Sequence, residues 1–150
     1  MKPVVVDIVV QAPPEAVWRI VSDIEHGQAM IPAIKSIEIL GDRSQGLGTR
    51  WRETRVMFGR EATETLEITE WRPPREYVVS ADSHGCRYRS VIRVRPQGPG
   101  TVIEFEFGGE PYTFMSRAMA FVMGGLMRGS IEKMLRADLA AMKDFCERHA

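Results

Sequence analysis

The sequence predicts an α+β protein: a seven-stranded antiparallel sheet, a long C-terminal helix, and two short helices between strands 1 and 2. Three observations predict it. A valine-rich run, Val4 to Gln11, is followed at once by a proline-opened helical stretch. Between Ile34 and Phe107, β-rich segments alternate with turns rich in Gly and Pro, the pattern of an antiparallel meander. From Pro111 to about Arg148 no further proline occurs and apolar residues recur at helical spacing.

Taken in order, Val4 to Gln11 (VVVDIVVQ) is too β-branched for a helix and reads as strand one, stopped by Ala12-Pro13-Pro14. Pro14 is tolerated in a first helical turn, Glu15 favours the helix N-terminus, and Val17, Trp18, Ile20, Val21 and Ile24 form an apolar face through about Asp23. Glu25-His26-Gly27 breaks this helix, and Gln28 to Ile31 forms one more short turn before Pro32. Ile34 to Leu40 alternates as strand two. The loop Gly41 to Gly48 carries three glycines, but no GxxxxGK[ST] spacing and no following helix, so it reads as a hairpin connection and not a phosphate cradle. Strand three is Thr49 to Phe58, strand four Arg60 to Trp71, strand five Arg75 to about Asp82, strand six Cys86 to Arg95 and strand seven Thr101 to Phe107. Turns are expected at Gly59, Arg72-Pro73-Pro74, Ser83-His84-Gly85, Pro96 to Gly100 and Gly108-Gly109.

The long helix has two unlike halves. Ile131, Leu135, Leu139 and Met142 step by three or four, with charged residues opposite, so this half expects a broad apolar surface. Tyr112 to Met127 is apolar on nearly all sides with only Arg117 charged before Arg128, which predicts cover on more than one side: a fully buried helix, or one facing a cavity on one flank. Some 37 residues of helix would span about 55 Å, against about 27–34 Å for strands of eight to ten residues. A bend or break at Gly124-Gly125, governing access to a cavity, is therefore expected. The alternative is that these glycines allow close backbone packing.

The 150 residues suffice for a substantial core and read as one domain, 1–150. Twenty Lys and Arg balance twenty Asp and Glu, so no overall field favours nucleic acid or an anionic membrane. Ala118 to Met127, the longest uncharged apolar run, is too short to span a bilayer, and the N-terminus enters a strand pattern instead of a secretory signal; a cytoplasmic protein is expected. Cys86 and Cys146 fit no metal spacing and are expected to be reduced. Neither metal nor cofactor is expected.

The element order, together with Ala-Pro-Pro-Glu-Ala-Val-Trp (12–18), Gly-Leu-Gly-Thr-Arg-Trp-Arg-Glu (46–53), Glu-Trp-Arg-Pro-Pro-Arg (70–75), Gly-Thr-Val (100–102) and Asp-Leu-x-x-Met-Lys (138–143), resembles the START-like (SRPBCC, Bet v 1-like) superfamily. Within it, the chain is most similar to the polyketide cyclase/dehydrase and lipid-transport group. The resemblance covers essentially the whole chain. It implies a helix-grip fold, a curved sheet wrapped around the C-terminal helix, with a deep apolar cavity that binds a hydrophobic small molecule. These motifs are packing and turn elements, so they carry fold and not chemistry.

Alternation assigns the strand faces. Ile103, Phe105 and Phe107 share one face of strand seven, and Tyr88, Ser90, Ile92 and Val94 one face of strand six, leaving Glu104, Glu106 and the arginines 87, 89, 93 and 95 on a charge-paired outer face. Tyr77, Val79 and Ala81, and Glu64, Leu66 and Ile68, point inward by the same parity. On strand three Trp51 and Met57 share parity with Glu53 and Arg55, so burying Trp51 brings both charges inside. Arg55 then needs Glu53 or Glu64 as its partner. Such a pair either fills a roomy core or serves a ligand: Arg55 would hold an anionic oxygen, and a carboxyl of raised pKa would move protons. The candidates for chemistry are accordingly Arg55, Glu53, Glu64 and Tyr88. Those for binding are Trp51, Met57, Phe58, Tyr77, Tyr88, Phe114, Met115, Met119 and Met123, the last three stepping by four along the helix. His84 stands at the expected mouth, formed by the turns at Phe58-Gly59, Ser83-His84-Gly85 and Gly108-Gly109.

Two functions of different class follow. One is a carrier or sensor for a hydrophobic, aromatic or lipid-like molecule. The other is a cofactor-free cyclase or dehydratase using the polar residues of the same cavity. A weaker third is an accessory domain whose helix face binds a protein. The expected partner is a small molecule and not nucleic acid, in a monomer or homodimer.

Overall fold

The computed structural model describes residues 2–150. Its elements are β1 (Val4–Val10), α1 (Pro14–Val21), a 3-10 turn (Ile24–His26), α2 (Gly27–Met30), β2 (Ile34–Leu40), β3 (Arg50–Met57), β4 (Arg60–Arg72), β5 (Glu76–Ser83), β6 (Cys86–Gln97), β7 (Gly100–Pro111) and α3 (Phe114–His149). The seven strands form one antiparallel sheet in the order β1-β7-β6-β5-β4-β3-β2, curved against α3 in the helix-grip arrangement. Valines and isoleucines of β1 pair with β7 without a register shift, Val6 opposite Phe105 and Ile8 opposite Ile103. β7 can therefore present one continuous apolar face to the helix.

The core is built where α1 and the second half of α3 meet this face. Val17, Trp18 and Val21 of α1 and Leu135, Leu139, Met142 and Cys146 of α3 are buried against Val6, Val10, Ile92, Val94 and Ile103. Burying such a side chain contributes about 1.5–3 kcal/mol. Burial also pushes the Cys146 thiol up to about 11, which keeps it protonated. On the outer face the charges pair as the alternation predicts: Arg93 lies 2.8 Å from Glu104 and 3.2 Å from Glu106, and Arg89 3.0 Å from Glu70.

Three expectations about the chain's end are corrected. β7 continues through Gly108-Gly109 to Pro111, because these residues pair with Arg89 and Tyr88 of β6, so they form no turn. The helix starts at Phe114 with Thr113 as its N-cap, in a capping box with Ser116, and not at Pro111. It runs unbroken through Gly124-Gly125, which overturns the expected break. Close packing is not their purpose either, since a Cβ at Gly124 or Gly125 would meet nothing within 4 Å.

The largest correction concerns the first half of α3, which is not buried. Its partly buried side carries Ser116, Ala120 and Gly124, all small, while Phe114, Met115, Met119, Phe121, Val122 and Leu126 are exposed. The helix is longer than its sheet: 36 residues correspond to about 54 Å, and the longest strand, with 13 residues, reaches about 43 Å. The start of the helix is fixed to the β5–β6 hairpin, where Gly85 O accepts from Ser116 Oγ at 2.8 Å, so what stays uncovered is the outer side of its first turns.

Candidate functional site

Between the sheet and α3 lies a cavity of about 310 Å³. Its walls follow from strand parity. Trp51, Glu53, Arg55 and Met57 of β3 all face it, as do Ala62, Glu64 and Leu66 of β4, Tyr77, Val79 and Ala81 of β5, and Tyr88, Ser90 and Ile92 of β6. From α3 come Met127, Ile131, Met134, Asp138 and Met142. Tyr77 of this wall belongs to an aromatic cluster: Trp18 and Trp71 have ring centroids 5.3 Å apart and each lies 5.8 Å from Tyr77. The Tyr77 hydroxyl donates to the Val21 carbonyl at 2.6 Å, which satisfies its only buried donor and anchors α1 to the sheet. Burial raises its pKa well above the usual phenol range.

One corner of this apolar space is polar. The Arg55 Nη2 donates to both carboxylate oxygens of Asp138, at 2.8 and 2.9 Å, and the Asp138 side chain is only 5% exposed. The sequence reading paired Arg55 with Glu53 or Glu64; the partner is instead on α3. Glu53 and Glu64 lie directly opposite each other across β3 and β4, where like charges repel, and their carboxyls bond in different directions. Glu53 Oε1 accepts from the Trp51 indole N–H at 3.3 Å, and Glu64 Oε1 accepts from Ser83 Oγ at 3.0 Å.

Two features set this corner apart from the rest of the wall. Burial holds the Glu53 carboxyl above its ordinary pKa, against the opposing effects of the Arg55 charge and the Trp51 hydrogen bond. The Nε–H of Arg55 is buried with no acceptor among the described residues. An unsatisfied buried donor costs about 1–3 kcal/mol. Asp138 is also raised, by burial above all and despite Arg55.

Two tight hairpins border the cavity, and their first residues adopt left-handed backbone, Phe58 (φ 53°) and His84 (φ 53°), each followed by a glycine of positive φ. Both aromatic side chains line the cavity. His84 Nδ1 lies 2.7 Å from Ser83 Oγ, so Glu64, Ser83 and His84 form a chain of hydrogen bonds at the rim. Tyr88 stacks on Phe107 with centroids 5.7 Å apart, and its phenol is pushed up to about 12 by burial, with Cys86 and Glu64 adding to the shift.

The structure thus brings together Trp51, Glu53, Arg55, Met57, Phe58, Glu64, Tyr77, Tyr88 and His84 around one space. It does not bring Phe114, Met115, Met119 or Met123 there; Met115 is 75% exposed. The helix rotates its large side chains away from the sheet over these turns and first contributes to the cavity at Met127. Sequence reasoning missed Asp138. The signal was present, because 138 falls on the stripe Ile131, Leu135, Leu139, Met142, where an acidic residue is out of place. The liners Ile24, Met30, Ile31, Ile34 and Ile37 were missed as well, since they come from the short helices and β2. Among the described residues no group of three or more His, Cys, Asp or Glu is placed to hold a metal ion.

Comparison with solved structures shows the same fold in distant relatives. A START superfamily protein from Mycobacterium smegmatis is 17% identical over 100% of both chains with a TM-score of 0.80. A protein from Thermus thermophilus is 19% identical over 96% of both chains with a TM-score of 0.78. The ZhuI aromatase/cyclase from Streptomyces sp. R1128 is 19% identical over 98% of this chain and 94% of its own, with a TM-score of 0.73. A comparison with curated proteins found no match. Residues 1–147 match the family described as polyketide cyclase/dehydrase and lipid transport. With nearly the whole length matched and the sheet gripping its C-terminal helix, the chain belongs to the polyketide cyclase/dehydrase and lipid-transport family.

Proposed function

We propose that the protein binds a hydrophobic small molecule in the cavity, as a carrier or sensor, with a polar oxygen of the ligand directed at Arg55 and Glu53. The observation that carries this reading is a cavity wall that is largely apolar, with its buried charges gathered at Arg55, Asp138 and Glu53 and a second polar group at Glu64, Ser83 and His84. The Arg55 charge is already neutralised by Asp138, so the corner suits a neutral carbonyl or hydroxyl oxygen better than a second carboxylate. Methionines 57, 127, 134 and 142 give the walls an adaptable surface, which suits a ligand held mainly by shape and apolar contact. Native mass spectrometry of the protein purified from its own host is expected to release an apolar molecule bearing an oxygen function. A protein that carries nothing and does not bind the neutral fluorophore N-phenyl-1-naphthylamine would overturn the reading.

The raised carboxyl of Glu53 favours a second reading, a cofactor-free cyclase or dehydratase in which Glu53 moves a proton and Arg55 steadies developing negative charge. An aromatase/cyclase among the structural relatives shares the fold. Incubating the co-purified molecule with wild type and Glu53→Gln separates the two: a carrier returns it unchanged from both, whereas an enzyme converts it only when Glu53 is intact.

A further inference from the structure

The first turns of α3 carry an apolar surface that the cavity does not use. Phe114, Phe121 and Leu126 are 86%, 92% and 81% exposed, with Met115, Met119 and Val122 beside them. At 3.6 residues per turn these six cover an arc of about 160°, wider than the roughly 100° stripe that a helix needs to lie on one core. The arrangement is the inverse of a core-packing helix, since the small Ser116, Ala120 and Gly124 face the protein. A contiguous exposed apolar patch of this kind marks an interaction site.

Charge selects the occupant. Between Glu110 and Glu132 the chain has no acidic residue and two basic ones, Arg117 and Arg128. They are about three turns apart and so lie on the same flank of the apolar arc. Arg128 donates to the carbonyls of Lys2 and Pro3, which holds the Lys2 backbone against this part of the helix. If a second copy covered the face, parallel helices would set Arg117 against Arg117 and antiparallel ones Arg117 against Arg128, with no carboxylate on the segment to relieve them. An anionic lipid surface complements both arginines: their stems lie along the apolar side, Arg117 reaches lipid phosphates directly, and Arg128 adds its charge while its guanidinium stays bonded to the carbonyls of Lys2 and Pro3. Among the described residues no helix is long and apolar enough to cross a membrane, so the helix would lie in the surface.

We propose that the protein docks on anionic membrane surfaces through the outer face of α3 from Phe114 to Leu126, with Arg117 and Arg128 at the level of the lipid phosphates. The start of this helix is tied to the β5–β6 hairpin that borders the cavity, because Gly85 O accepts from Tyr112 N at 2.9 Å and Ser116 Oγ at 2.8 Å. Docking therefore brings the His84-Gly85 hairpin to the membrane. Transfer of a ligand between membrane and cavity would follow only if the binding function proposed above holds; the docking itself does not depend on it.

The test is co-sedimentation of the full chain with phosphatidylcholine vesicles, with and without phosphatidylglycerol. Wild type is expected to partition onto the anionic vesicles at least about tenfold more strongly than onto the neutral ones, on the order expected for two arginines near the surface. Phe121→Gln with Leu126→Gln should abolish partition, and both side chains are exposed enough for the fold to survive, which a thermal melt checks. Arg117→Gln with Arg128→Gln should remove the preference for anionic vesicles. Wild type remaining in the supernatant, or a double glutamine variant at 121 and 126 that partitions like wild type, would overturn the proposal. So would a dimer in sedimentation equilibrium that dissociates in that variant, since the face would then belong to a second copy. N-phenyl-1-naphthylamine binding without vesicles keeps the two ideas apart: loss of partition with retained probe affinity supports docking, and partition without any probe binding removes only the cavity function.

Discussion

Arg55 and Asp138 meet through a single guanidinium nitrogen that lies 2.8 and 2.9 Å from the two carboxylate oxygens, joining β3 to α3 across 83 residues of sequence. The pair ties the half of the helix that is gripped to the strand that carries the polar corner. Removing one partner of a buried pair leaves the other charge uncompensated, so Arg55→Met is expected to lower stability by about 3–5 kcal/mol. Arg55→Met with Asp138→Leu should recover much of the loss in a urea titration, whereas Arg55→Met with Glu64→Gln should not.

Glu53 gives the protein a pH dependence of definite sign. Burial raises its pKa above the ordinary 4.5, so above that value, and up to its folded-state pKa, the folded protein binds more proton than the unfolded chain. Stability therefore falls as pH rises through this window. Asp138, also raised, acts in the same direction. Glu53→Gln should be more stable than wild type at pH 7, with the advantage shrinking toward pH 4. Urea midpoints that decline equally in both proteins would show that Glu53 is not held in the buried environment.

Cavity occupancy has a sharp positional test. Ala81 faces the cavity and Met119 does not. Ala81→Phe should weaken N-phenyl-1-naphthylamine binding at least about tenfold, the effect of losing about 1.4 kcal/mol, while Met119→Trp should leave it unchanged. Equal losses in the two variants would mean that the first half of α3 does line the site.

The anchor at the start of α3 is sterically tight. A Cβ at Gly85, where φ is +76°, would lie 2.6 Å from Thr113 Oγ1 and 2.9 Å from Thr113 Cγ2. Thr113 is the N-cap of the helix and accepts from Ser116 N at 3.1 Å. Gly85→Ala should cost about 1–3 kcal/mol and speed hydrogen exchange at the Ser116 and Arg117 amides, leaving those of the last turns of α3 unaffected.

At Gly124 and Gly125 the opposite holds, because nothing stands within 4 Å of an added Cβ. Replacing both with alanine should raise stability by up to about 1 kcal/mol each through helix propensity alone. A thermal melt that falls instead would mean that these glycines serve a conformation other than the continuous helix.

The sequence by itself determined the meander, its turns apart from the one expected at Gly108-Gly109, and the inward faces of the central strands apart from β3, whose face hung on Trp51 being buried, because alternation of side chains along a strand is a local property with a period of two. That is why Trp51, Glu53, Arg55, Glu64, Tyr77 and Tyr88 were legible as one set. It also marked α3 as two unlike halves. What the sequence could not decide were relations between elements distant in the chain. Arg55 had two carboxylates nearby on the strands, and only the docking of α3 shows that Asp138 comes closer. The apolar first half of the helix looked like buried structure, since composition records what a segment would shed from water and not whether anything lies within reach to cover it. Only the tertiary structure decided that: the helix turns its small residues inward, no element covers its outer side, and Phe114, Phe121 and Leu126 are left in the open.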